Sequence, residues 1–159
     1  MFNRLTCAAL AVACLQPLQA AVERETFEVF AEIPSQDFYV LPMDPQLVHR
    51  ENPLHYNPVS SELSPLRAEY EVKNIGGSIE ARLEQMPSLS NGTDRIDLQV
   101  RFNNQPLGLT SVEVVSAAEA KPGRRVALEI RAIKPDDDYR AGHYFGTVQM
   151  VFDAIAPRL

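Results

Sequence analysis

Ile96-Asp97-Leu98-Gln99-Val100-Arg101-Phe102 alternates apolar and polar residues without a fault. A strict period of two puts Ile96, Leu98, Val100 and Phe102 on one face of a strand and Asp97, Gln99 and Arg101 on the other. This is the pattern of an antiparallel strand with one wet face. Val126, Leu128 and Ile130 alternate with Ala127, Glu129 and Arg131 in the same way. Further short runs lie at residues 38–41, 66–73, 79–83, 112–115 and 144–152. The breaks between them carry turn residues: Asn74-Ile75-Gly76-Gly77, Ser90-Asn91-Gly92-Thr93-Asp94, Pro122-Gly123 and Pro135-Asp136-Asp137-Asp138. Each supplies a residue suited to positive φ or a proline of fixed φ where a strand must reverse. Helix-like composition is confined to residues 116–121 and is stopped by Pro122-Gly123. Counting a further run at residues 26–33, about eight strands at loop spacing predict an all-β sandwich.

The run at residues 26–33 stands apart at the N-terminal side. Phe27, Val29, Ala31 and Ile33 share one parity, Thr26, Glu28 and Glu32 the other, and Phe30 is the exception. Pro34 closes it, because proline has no N–H for a ladder. Six of the 12 prolines (Pro34, Pro42, Pro45, Pro53, Pro58 and Pro65) punctuate residues 34–65. That stretch is expected to be an extended surface excursion with at most one edge strand, at 38–41.

Composition narrows the function classes. The chain has 159 residues, 15 Lys plus Arg against 21 Asp plus Glu, and no Trp. The acidic balance argues against nucleic acid as a partner, since phosphate neutralisation needs a basic face. The 12 scattered prolines exclude a helical bundle.

Residues 1–20 read as a secretory signal peptide: Arg4, an apolar run over 5–15, then Gln16, Pro17 and the small residue Ala20. Cleavage is expected after Ala20, with Ala21 the neighbouring site. Ala11-Val12-Ala13-Cys14 is a loose lipobox, so lipidation at Cys14 is the rival reading. Removing 20 of the 159 residues leaves 139, takes away both cysteines (Cys7 and Cys14), and shifts the net charge from −6 to −7 by losing Arg4. An exported domain is then left without a disulfide. Its stability must come from a core or from a partner.

The sequence offers no catalytic, cofactor-binding or metal-binding set. His49, His55 and His143 lack ligand spacing, and no cysteine accompanies them past residue 14. No nucleophile elbow, phosphate-binding Gly-rich loop or H-E-x-x-H motif is present. Asp136-Asp137-Asp138 lacks the alternating ligands and glycine of a calcium loop and reads as an acidic turn. Asn91-Gly92-Thr93 matches both a glycosylation acceptor and an Asn-Gly hairpin, and the hairpin is the expected reading.

Val22-Glu23-Arg24 leading into an alternating strand closed by Ile33-Pro34, then Asp37-Phe38, resembles the N-terminal extension of the coli surface antigen one type fimbrial major subunits, the alpha-clade chaperone-usher pilins. Gly142-His143-Tyr144-Phe145-Gly146-Thr147-Val148 is similar to the G-x-Y-x-G-x-V segment with which that family enters its last strand. The resemblance covers essentially the whole chain after the leader, although the proline-rich stretch to Pro65 and the tail at 156–159 have no counterpart in those motifs. It implies an incomplete immunoglobulin-like β-sandwich, with residues 21–34 as a donor-strand extension and 35–159 as the pilin domain. The missing strand would come from a neighbouring subunit, with Phe27, Val29, Ala31 and Ile33 as the buried donor residues; from the Ile33-Pro34 step itself, Pro34 is expected to be the hinge between that strand and the body. The implied partners are identical or related pilin subunits, a periplasmic chaperone, an outer-membrane usher and a tip adhesin. The implied destination is the cell surface, reached through the periplasm. The resemblance further implies a structural, non-enzymatic part in the fimbrial shaft that supports cell adhesion.

On the residues alone, an ordinary first strand within its own sheet is the favoured reading of 26–33, and the resemblance reverses that preference. The competing function is a self-contained periplasmic or lipid-anchored immunoglobulin-like binding module that uses residues 34–65 as its recognition surface.

Overall fold

The computed structural model describes residues 37–156, all within the compact unit Ile33–Leu159. The leader at 1–20, the strand expected at 26–33 and Pro34 lie outside the described residues.

Eleven strands are described: β1 (Phe38–Pro42), β2 (Tyr56–Asn57), β3 (Glu62–Leu63), β4 (Leu66–Asn74), β5 (Ser78–Leu83), β6 (Ser88–Ser90), β7 (Arg95–Phe102), β8 (Gln105–Pro106), β9 (Val112–Val115), β10 (Arg124–Ala132) and β11 (Met150–Ile155). One short helix, α1 (Ala117–Ala120), and one 3-10 turn (Pro45–Val48) accompany them. The larger sheet has the order β1-β4-β10-β7-β6, with β8 beside β7, and the second sheet is β11-β5-β9. Every pairing is antiparallel.

The alternation in the sequence translates directly into burial. In β7 every apolar residue is buried and every polar one exposed, and in β5 Ile79, Ala81 and Leu83 point inward. Inward side chains of both sheets form one core: Tyr70, Val72, Leu98, Val100, Phe102, Val126 and Leu128 from the larger sheet, Ile79, Ala81, Leu83, Val114 and Val115 from the other. Phe102 joins the two, its ring centroid 5.4 Å from Tyr70 and 4.8 Å from Phe152 on β11. Burial pushes the Tyr70 hydroxyl above its ordinary pKa.

The outer face of the larger sheet carries one cross-strand ion pair and a second along β10. Glu129 on β10 accepts from Arg67 on β4 at 2.9 Å and from Arg131 at 3.0 Å. The Arg67 hydrogen bond holds Glu129 below the usual carboxylate range. Exposed pairs of this kind add little stability but keep the face solvated.

The expected helical segment at 116–121 is α1, whose start is fixed by Ser116 and Glu119. Ser116 Oγ donates to the Glu119 carboxylate at 2.7 Å, and Arg124 pairs with the same side chain. These contacts hold Glu119 below its ordinary pKa, the Ser116 hydroxyl bond first.

Two expectations are corrected. The proline-rich stretch holds more than one edge strand: besides β1, Tyr56–Asn57 pairs with Glu62–Leu63 in a small separate hairpin. Asn57 Oδ1 closes it by accepting from the Val59 amide at 2.9 Å, and Tyr56 packs edge-on against Tyr139 at 6.1 Å. Prolines forbid ladder bonds at their own nitrogens only, so a two-residue ladder fits between Pro53, Pro58 and Pro65.

The run expected at 144–152 is not a single strand. Phe145 bridges Ser90 of β6, donating at 3.0 Å and accepting at 2.8 Å, and the chain then crosses to the other sheet, where β11 starts at Met150 and extends to Ile155. Apolar alternation records which side faces a core, and both sheets face the same core.

Candidate functional site

The site is built on β11. Its register against β5 pairs Met150 with Leu83, Phe152 with Ala81 and Ala154 with Ile79, so these six side chains share the inner face of the sheet. The β5 members are sealed, with Leu83 at 1% and Ala81 and Ile79 at 0% exposure. Met150 and Phe152 are only partly buried and Ala154 is exposed. The asymmetry follows from sheet order. β5 lies between β11 and β9, whereas β11 ends its sheet among the described residues.

Topology says which strand would seal β11. In chain order β1, β4, β5, β7, β10 and β11 take the places of strands A to F of an immunoglobulin sandwich: β1-β4-β10-β7 is its A-B-E-D sheet, and β5 and β11 are its C and F. Among the described residues nothing takes the place of G, on the outer side of β11. An end strand with a half-covered apolar face presents backbone N–H and C=O groups to an incoming strand.

The approach to β11 is firmly held. Tyr144 Oη donates to the Arg140 carbonyl at 2.9 Å, a tyrosine corner at the position where immunoglobulin-like sandwiches carry one. Gly146 lies so close to the Ser88 carbonyl that a Cβ there would overlap it. At the other end of β11, Gly77 is equally close to the Ile155 carbonyl. Gly146 therefore lets the approach segment close on β6, and Gly77 lets the β4–β5 turn close on the end of β11.

Residues singled out for other chemistry are occupied locally. Asn91 closes its turn, Oδ1 accepting from the amides of Thr93 at 2.9 Å and Asp94 at 2.6 Å, while Nδ2 donates to Asp94 at 3.3 Å. Asp138 lines an open cleft of about 320 Å³ with Asp94, Asp136, Asp137, Arg140 and Tyr144. Its carboxylate accepts from the Tyr139 amide at 2.8 Å and faces Lys134 at 3.4 Å, contacts that hold it below its ordinary pKa. Among the described residues no group of His, Cys, Asp and Glu is placed to hold a metal ion, and no buried side-chain N or O lacks a partner. No described helix is long and apolar enough to cross a membrane.

The donor residues expected from the sequence, Phe27, Val29, Ala31 and Ile33, and the hinge Pro34, fall outside the described residues. The half-covered residues Met150 and Phe152 were missed by sequence reasoning, because Phe152 reads like any inward residue of an alternating run. Its exposure depends on which strand lies beside β11, and among the described residues none does on the outer side.

Comparisons with known proteins agree with this architecture. No curated protein matches the chain. Among solved structures, the chain is similar to the CooA pilin subunit from enterotoxigenic Escherichia coli, with a TM-score of 0.54 and 18% identity over 65% of this chain and 78% of that one. That likeness concerns the fold. The family model of the CS1 type fimbrial major subunit matches residues 23–153. With that match spanning well over half of the chain, the chain belongs to the CS1 type fimbrial major subunit family and is a structural subunit of a surface fimbrium.

Proposed function

We propose that this protein builds the fimbrial shaft by donor-strand complementation, residues 26–33 of one copy lying along the outer edge of β11 in the next. The observation that carries this reading is the contrast across one register: Leu83, Ala81 and Ile79 sealed on β5, Met150 and Phe152 half-covered on β11. An added strand with Phe27, Val29, Ala31 and Ile33 facing inward covers those side chains. Its three large residues contribute about 5–9 kcal/mol at roughly 1.5–3 kcal/mol each, an upper figure before ordering costs. Ladder hydrogen bonds at about 1 kcal/mol each add a comparable amount.

On this reading a periplasmic chaperone covers the same edge after export, and an outer-membrane usher exchanges it for the next subunit. A tip adhesin completes the fibre, which supports cell adhesion. Residues 1–20 are the export signal and 21–34 the extension.

Deleting residues 21–33 is expected to abolish polymers while the chaperone complex persists, as read by electron microscopy of cells and co-purification with the chaperone. Polymers from the deletion variant would overturn the reading. Pro34, at the exit of the donor strand, sets the angle between successive subunits through its restricted φ. Fibres of Pro34→Ala are expected to change helical rise and twist; unchanged symmetry in reconstructed images would remove that role.

A further inference from the structure

We infer that Ile75, at the apex of the β4–β5 turn, is a body-to-body contact of the fibre, seated on the far end of the next copy beside Met86 and Leu109; this rests on the donor-strand reading above. Ile75 is 46% exposed on a turn that the fold holds rigidly. Asn74, 4% exposed, donates to the Ser78 carbonyl at 2.7 Å and accepts from the Gly76 amide at 3.0 Å. Gly77 packs directly on the Ile155 carbonyl. An apolar side chain on so fixed a turn needs little ordering when it binds.

The chain itself brings a neighbour there. The Ile75 amide donates to the Asp37 carbonyl at 2.9 Å, so Ile75 lies beside the residue at which the chain joins the sandwich. The four chain steps from Ile33 to Asp37 span at most about 14 Å fully extended. A copy whose edge strand binds Ile33 must therefore lie against this end of the molecule.

The end it presents follows from closure. Ile155, opposite Ser78, lies at the same end as Ile75, whereas Met150, opposite Leu83, lies at the other. If like ends met, each copy could donate to the other and assembly would close at two; unlike ends give a head-to-tail contact that propagates. At the Met150 end, Met86 and Leu109 are 56% and 55% exposed. They are held near the start of β11 through the Leu83 amide donating to Gly108 at 2.7 Å and the Glu84 amide donating to Gln149 at 3.1 Å. Ile75 of one copy and Met86 and Leu109 of the next thus form a heterologous apolar contact at each junction.

The test uses cysteine pairs in the full chain, Ile75→Cys with Met86→Cys and Ile75→Cys with Leu109→Cys, expressed with the native assembly machinery. Ile75 and Met86 lie beyond opposite ends of the six-residue strand β5, about 20 Å apart. A disulfide needs Cα atoms within about 7 Å, so a crosslink of this pair must join two copies. The expected result is a ladder of oligomers on a non-reducing gel that collapses on adding reductant and is absent from each single-cysteine variant. Ile75→Asp, at an exposed position, is expected to leave polymers but lower their bending stiffness in electron micrographs. Polymers with no ladder from either pair and unchanged stiffness in Ile75→Asp would overturn the contact and leave the donor strand standing. Polymers from Phe27→Arg/Val29→Arg would overturn the donor strand and this contact together.

Discussion

Phe102→Ala is expected to destabilise the sandwich by about 3–5 kcal/mol, the range for truncating a fully buried aromatic. Phe102 has no exposed surface and stands between Tyr70 of its own sheet and Phe152 of the other, so its removal opens a cavity lined by both. Surrounding strands are fixed by ladder pairing on each side and can collapse into the space only in part. Against a typical stability of about 5–15 kcal/mol, the loss is a large fraction. Urea unfolding of the purified subunit should show a midpoint lower by about 2 M for a chain of this size. Phe145→Ala is the internal comparison, since that ring is 69% exposed, and its midpoint should barely move. Equal shifts for the two variants would show that Phe102 is not the joint between the sheets.

Gly77→Ala is expected to be the most damaging single methyl addition at the β11 end. The new Cβ would overlap the Ile155 carbonyl oxygen and lie 3.2 Å from the Ala156 Cα, with backbone on both sides of the clash. Backbone cannot rotate away as a side chain can. Either the turn at 74–77 or the end of β11 must move, at about 1–3 kcal/mol or more. Movement of β11 disturbs its pairing with Ser78 and Ile79, and with it the edge along which the proposed donor strand would lie. Gly76→Ala, one residue earlier, meets only Asn74 Oδ1 at 3.5 Å, an ordinary contact, and should be mild. Amide exchange of the Met150–Ile155 strand distinguishes the two: fast exchange is expected for Gly77→Ala and native protection for Gly76→Ala. Matching protection in both would refute the close approach.

The strands that the sequence announces best are those buried on one face only. The alternation at 96–102 and 126–131 appears unchanged as β7 and β10, because each pairs on both sides in a sheet with one wet face. Runs at 66–73, 79–83 and 112–115 are found within a residue of their expected bounds. Asn91-Gly92 forms the expected turn between β6 and β7, with Gly92 at a φ of +92°. Strands of two or three residues, β2, β3, β6 and β8, escaped notice, since two residues cannot display a period.

The amino-acid sequence by itself determined an all-β sandwich with its inward faces, an acidic surface, and the short motifs around Ile33-Pro34 and Gly142 to Val148 that carry the family resemblance. These are local properties: which residue types alternate, and where a glycine or proline interrupts them. Only the tertiary structure decided that residues 144–155 serve two sheets in succession and that β11 ends the second among the described residues. Whether Met150 and Phe152 are covered depends on which strand lies beside β11, and strand order is set by contacts between residues far apart in the chain. Periodicity within one segment carries no record of that order, so the half-covered edge became visible only once the sheets were assembled.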